Sequence, residues 1–238
     1  MRGQVKKMKI CGLNKTTMLD YPGRLAATVF LGGCNFCCPF CHNGPLVIAP
    51  EKAGSISEQE ILKFLEKRRG ILEGVCITGG EPTIYKELPR FLLSVRKLGY
   101  QIKLDTNGTN PGMVKELERE GLIDMVAMDI KAAPDNYIRA AGVQNPSMEA
   151  VFETADYLLH GQLDYEFRTT AVKGIHTRED FMQIGKWMKG AKAYFLQSYR
   201  ESQEVLCPGF ESFTREELLG FLRILQAEIP NAAIRGVD

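Results

Sequence analysis

The stretch Ala26-Ala27-Thr28-Val29-Phe30-Leu31-Gly32-Gly33-Cys34-Asn35-Phe36-Cys37-Cys38-Pro39-Phe40-Cys41-His42-Asn43 decides how the rest of this chain is read. Its first six residues form a short apolar run carrying Thr28, Val29 and Phe30, which predicts a buried strand. Two glycines end the run, and a loop holding four of the chain's seven cysteines follows at once. A strand that delivers reactive side chains directly at its end suits a parallel α/β fold, where functional residues collect at the C-terminal ends of the strands.

Working outward, the same pattern repeats. Further strands are predicted at 75–78, 101–105, 125–130, 165–171 and 193–198. Helices lie between them. Ser57 with Glu60 reads as a capping box, as do Thr177 with Asp180 and Thr214 with Glu217. Asn110-Pro111 opens another helix, and Asn145-Pro146 is expected to do the same ahead of Val151, Phe152, Ala155 and Leu158. Six strands in βα alternation predict an α/β fold, a partial (β/α)6 TIM-like open barrel. A doubly wound sheet has the same local pattern, and periodicity does not separate the two. The chain reads as one domain over 1–238: an N-terminal extension over 1–25, core βα units over 26–200, and a C-terminal helix with a final short strand over 201–238.

Composition narrows the function classes. With 45% hydrophobic and 25% charged residues and a formal net charge of +1, nothing suggests a nucleic-acid or membrane surface. The short basic runs Lys6, Lys7, Lys9 and Lys67, Arg68, Arg69 read as solvated charge. No apolar stretch approaches the ~20 residues that would span a bilayer. The N-terminus lacks the apolar core of a signal peptide, so a cytoplasmic location is expected. A reducing compartment makes a disulfide framework a poor reading of the cysteines.

Cys34, Cys37, Cys38 and Cys41 form overlapping pairs that suit tetrahedral zinc badly, because structural zinc usually draws its pairs from separate knuckles. Three of them, Cys34-x3-Cys38-x2-Cys41, can instead give three thiolates to three irons of a cubane cluster, leaving the fourth iron for a small molecule. Cys37 is then left over, and Cys11, Cys76 and Cys207 read as ordinary residues, Cys76 packing as a small hydrophobe. Other polar segments fall at later strand ends: Gly79-Gly80-Glu81, Asp105-Thr106-Asn107-Gly108 and Asp129-Ile130-Lys131, with Arg168 within the fifth strand. Taken alone, the first two are turn signals and Lys131 an ordinary ion-pairing lysine. A buried Arg168 needs an anionic partner. His160 and His176, at a helix end and in a loop, are expected to face solvent.

The cysteine spacing, with Phe40 before the last cysteine, resembles the signature of the radical S-adenosylmethionine superfamily. The run 15–47, KTTMLDYPGRLAATVFLGGCNFCCPFCHNGPLV, is similar to the activating proteins of anaerobic ribonucleoside-triphosphate reductase, relatives of pyruvate formate-lyase activating enzyme. The resemblance implies a radical S-adenosylmethionine oxidoreductase with a [4Fe–4S] cluster on Cys34, Cys38 and Cys41. Its open iron would bind S-adenosylmethionine, whose reductive cleavage yields a 5′-deoxyadenosyl radical. That radical would remove a glycine Cα hydrogen from a partner glycyl radical enzyme, with a flavodoxin or ferredoxin-type electron donor. The residues implied around the cofactor are Phe40, His42, Gly79, Gly80, Glu81, Asp105, Asn107, Asp129, Lys131 and Arg168. A monovalent cation is implied at Asp105, Thr106 and Asp129, and no side chain is expected to act as general acid or base. The histidine that some such activases carry after the sixth strand is replaced by Gln197-Ser198-Tyr199-Arg200. Two other readings stand beside this one: a radical enzyme acting on a small molecule or peptide, and a non-catalytic iron–sulfur or zinc module.

Overall fold

The computed structural model describes residues 7–236; Lys6 of the first basic run lies outside them. Eight strands run β1 (Ile10–Thr17), β2 (Ala26–Leu31), β3 (Gly74–Gly79), β4 (Gln101–Thr106), β5 (Met125–Asp129), β6 (Asp164–Ala171), β7 (Tyr194–Ser198) and β8 (Ala232–Arg235). Eight α-helices accompany them: α1 (Gly44–Ile48), α2 (Glu58–Lys67), α3 (Leu88–Lys97), α4 (Pro111–Arg119), α5 (Tyr137–Ala141), α6 (Met148–His160), α7 (Arg178–Trp187) and α8 (Arg215–Gln226). The sheet order follows the chain order from β1 to β8, the sheet is mostly parallel, and it does not close. A doubly wound sheet reverses its strand order at a switch point. No reversal occurs here, which decides for the open barrel.

The six predicted strands are β2 to β7, and the final short strand is β8. The segment read as an N-terminal extension carries a further strand. Residues 10–17 form β1, antiparallel to β2, with irregular register between Ile10 and Gly12 and between Asn14 and Thr17. Only Ile10 and Thr17 of this edge strand are buried, so its sequence lacks the two-residue alternation of a half-buried strand.

Contacts divide the chain into two compact units. Of the described residues, the first comprises 7–35, 45–106 and 112–126. Its core is built from the fully buried Ala27, Val29, Val75, Ile77, Ile102 and Leu104, covered by Ile61 and Leu65 of α2 and Phe91 and Leu92 of α3. Ser57 and Glu60 form the expected reciprocal cap on α2. The second unit comprises 36–44, 107–111 and 127–236. Its strands carry Phe167, Thr169 and Ala171 on one face in register with Tyr194 and Leu196, all buried. The other face carries Arg168, Thr170, Phe195 and Gln197, all half-buried. Thr177 with Asp180 and Thr214 with Glu217 cap α7 and α8 as predicted. The start of α6 is corrected: Asn145 Oδ1 accepts from the Ser147 N–H at 3.1 Å, and this local turn delays the helix to Met148, with Ser147 at φ 53° as its cap.

Candidate functional site

In the first unit, the end of β3 is pressed against the start of the cysteine loop. Gly79 has φ 112°, and a Cβ there would strike the Leu31 backbone. A Cβ on Gly80 would overlap the Gly33 carbonyl. Glu81 N–H donates to Gly33 O at 2.9 Å, so the Gly-Gly-Glu segment is anchored to the loop through backbone. Its carboxylate is buried and committed: Glu81 Oε1 accepts from Thr83 N at 3.0 Å, Thr83 Oγ1 at 2.6 Å and Thr106 Oγ1 at 2.8 Å. Asp105 Oδ1 accepts from the buried Lys103 Nζ at 2.5 Å, with Cys76 Sγ 3.7 Å away. Asp105 and Thr106 therefore face different partners, as neighbours along a strand should. Cys34 is half-buried, its Sγ 4.0 Å from Asn35 Oδ1.

The second unit holds Cys37, Cys38 and Cys41. Backbone bonds pin their loop: Cys37 N–H to Ala141 O at 2.9 Å, Cys41 N–H to Cys38 O at 3.0 Å, Leu206 N–H to Cys41 O at 3.1 Å and Cys207 N–H to Pro39 O at 2.8 Å. Gly142, φ 66°, lies so close that a Cβ would overlap the Cys37 carbonyl. Cys38 is buried and Cys37 exposed. Burial pushes the Cys38 thiol up to about 11, against the opposing pull of Lys131. Burial likewise raises Cys41.

Beside this loop lies a charged row. Asp129 Oδ1 accepts from Arg168 Nε at 2.9 Å and its Oδ2 accepts from Lys131 Nζ at 3.1 Å. Burial opposes ionisation of Asp129, but Arg168 and Lys131 outweigh it and hold its carboxyl at about 2. Burial alone would lower Lys131, yet the Asp129 carboxylate drives it upward, joined by Cys38 wherever that sulfur is a thiolate. The row continues to Glu166, whose Oε1 is 3.9 Å from Arg168 Nη1 and whose Oε2 is 2.8 Å from Arg235 Nη2. Arg235 in turn lies 3.3 Å over the Phe195 ring. The anionic partner that Arg168 needed is thus Asp129, seconded by Glu166. Sequence reasoning missed Glu166 and Arg235. Glu166 lies two residues before Arg168, on the same strand face, and that spacing was the available signal.

Asn107 Oδ1 accepts from Thr109 N at 3.0 Å and Thr109 Oγ1 at 2.7 Å, a side-chain turn. His42 packs on Tyr199 with ring centroids 5.6 Å apart, and burial lowers its pKa. Phe40 is buried, edge-on to His176 at 6.1 Å. His160 is exposed as expected. His176 is not: it is buried, bonded through both ring nitrogens to backbone. Its loop position concealed this, because two of the groups that enclose it, the Lys131 carbonyl and the Phe40 ring, come from distant segments.

All seven cysteines are thiols. Among the described residues no three His, Cys, Asp or Glu side chains stand as a metal-holding group. The donor set nevertheless suits iron. Three thiols lie on one short loop, two of them spanned by a single backbone turn, and a lysine cation acts on Cys38 and Cys41 from nearby.

The model of the Radical SAM superfamily matches residues 28–188. The chain belongs to this superfamily. It is an enzyme of a group whose members use a [4Fe–4S] cluster and S-adenosylmethionine. The radical SAM chain is 29% identical, over 98% of both sequences, to a protein of Methanocaldococcus jannaschii whose name proposes it as a glycyl-radical enzyme activating enzyme. It is 29% identical to the pyruvate formate-lyase-activating enzyme of Clostridium pasteurianum, covering 54% of each chain. Among solved structures, Streptococcus suis SuiB bound to S-adenosylmethionine superposes with a TM-score of 0.67 at 17% identity, over 86% of this chain and 48% of SuiB. At that identity the likeness concerns the fold, and this radical SAM chain spans about half of SuiB's length. No helix among the described residues is long and apolar enough to cross a membrane.

Proposed function

We propose that this enzyme is a glycyl radical activase. The observation that carries the reading is the end-to-end likeness to the M. jannaschii protein, joined to the Cys34-x3-Cys38-x2-Cys41 spacing. Cys34, Cys38 and Cys41 would hold the cluster. Cluster and S-adenosylmethionine together supply one-electron chemistry able to remove a hydrogen atom from an unactivated C–H bond. The chain's own residues bind, orient and exclude water.

Gly79 and Gly80 keep backbone close to the loop, where main-chain acceptors would meet the methionyl amino group. Lys131 and Arg168 offer positive charge for its carboxylate, with Asp129 holding both in place. Phe40 and His42 flank the last cysteine and would support the adenosyl end; Asp105 would serve the ribose, as would Asn107. No side chain is needed as general acid or base. The monovalent cation draws less support, since Asp105 already pairs with Lys103 and Asp129 with two cations.

The protein substrate in this reading is a glycyl radical enzyme. The run 15–47 favours anaerobic ribonucleoside-triphosphate reductase, with a flavodoxin or ferredoxin-type donor supplying the electron. The test is anaerobic reconstitution, reduction with dithionite and addition of S-adenosylmethionine. Formation of 5′-deoxyadenosine is measured, followed by the electron paramagnetic resonance doublet of a glycyl radical on the added reductase. Product together with the doublet supports the proposal. Product without a doublet on any glycyl radical enzyme would move the assignment to a small-molecule or peptide substrate.

A further inference from the structure

His176 is a buried ionisable side chain for which neither the cysteine signature nor the proposed function has a use. It follows β6 and is 3% exposed. Its Nδ1 accepts from the Val172 N–H at 3.0 Å, which leaves the proton on Nε2, and Nε2 lies 2.8 Å from the Lys131 carbonyl oxygen. Burial lowers its pKa, in keeping with a neutral ring. One face stacks on Phe181 at 5.8 Å, and the ring makes an edge-type contact with Phe40 at 6.1 Å. Asn136 secures the same loop from the side, donating to Ile175 O at 2.8 Å and to Asp180 Oδ1 at 3.0 Å.

A single imidazole therefore touches the backbone of Lys131 and the aromatic residue next to Cys41. Lysine is a point charge on a long flexible stem, so where its ammonium sits depends on how firmly its backbone is held. A half-buried carbonyl left without a donor would also carry a cost, and here the ring supplies that donor.

We propose that His176 is a positioning residue: its Nε2–H fixes the Lys131 carbonyl while its ring seats Phe40, so that the lysine ammonium is preset for the carboxylate of S-adenosylmethionine. This rests on the role proposed for Lys131 above. Two isosteres separate the bonds. His176→Gln places an amide donor where Nε2 lies, and His176→Asn keeps an acceptor where Nδ1 lies but has no donor for Lys131.

The experiment uses reconstituted, dithionite-reduced holoprotein titrated with S-adenosylmethionine. Binding is followed by the change in the cluster's paramagnetic resonance signal, with iron content and thermal midpoint measured alongside. His176→Gln should bind within about twofold of the native protein and His176→Asn about tenfold more weakly, at equal iron content. Equal affinity in the two variants, or losses that simply follow the thermal midpoint, would overturn the proposal. If the native holoprotein shows no response to S-adenosylmethionine, the function reading itself fails and this inference with it. A readout on the unaltered chain guards against variants that do not fold. Nitrogen-15 spectra of the histidines should show His176 as the neutral Nε2–H form, and a ring protonated on Nδ1 would contradict the geometry.

Discussion

Arg168 Nε donates to Asp129 Oδ1 at 2.9 Å, tying β6 to the end of β5 just where Ile130 N–H meets Arg168 O at 2.8 Å. Since Lys131 occupies the other carboxylate oxygen, Asp129 is an anion shared by two cations. Replacing it with Asn removes the charge that both cations share, while Arg168 keeps its longer contact with Glu166. The site lies between the exposed and fully buried limits for ion pairs, so Asp129→Asn should cost on the order of 2 kcal/mol. Urea denaturation of the native and variant proteins measures this directly.

The same pair gives stability a dependence on acid. In the unfolded chain an aspartate titrates near 4, whereas here Arg168 and Lys131, acting against burial, hold Asp129 at about 2. Its contribution is therefore full above about pH 4 and is lost as pH falls through 2. The thermal midpoint of the native protein should drop more steeply between those values than that of Asp129→Asn. Parallel curves would show that the bridge contributes nothing.

Gly80 and Gly142 meet the cysteine loop where a methyl group would overlap a backbone carbonyl, that of Gly33 and of Cys37 respectively. A backbone clash has no flexible side-chain end to yield. Gly80→Ala and Gly142→Ala should each lose about 3 kcal/mol or more, with iron uptake reduced beyond what the altered midpoint explains. Gly220→Ala is the control, since a Cβ there meets nothing within 4 Å.

Cys37 and Cys38 are adjacent yet oppositely placed, one exposed and one buried. Under anaerobic reconstitution Cys37→Ala should take up iron to the native level, while Cys34→Ala, Cys38→Ala and Cys41→Ala should not. In the loaded protein Cys37 should react with iodoacetamide while the other three are protected. Loss of iron from Cys37→Ala would require a different choice of ligands.

Much of the architecture was legible because it rests on local rules. The apolar runs that became β2 to β7 stand out from their neighbours, and the three boxes at Ser57, Thr177 and Thr214 are local contacts between a cap and a residue three positions on. The strand β1 escaped notice because burial at its two ends alone leaves no alternation. Asn145-Pro146 misled because a turn bond to Ser147 competed with the helix start.

The sequence by itself determined the chemistry: cysteine spacing, the Gly-Gly-Glu segment and the polar residues closing each strand are properties of the chain, and the superfamily could be read from them. Only the tertiary structure decided three matters. Strand order separated an open barrel from a doubly wound sheet. Segment 204–207 proved to hold the cysteine loop through main-chain bonds to Cys41, Pro39 and Gly44, which carry no side-chain signature. His176 proved to be buried, and Glu166 and Arg235 proved to continue the row that Asp129 begins. The physical reason is the same in each case. Local propensities depend on neighbours a few residues away, whereas desolvation and ion pairing depend on what the fold brings alongside.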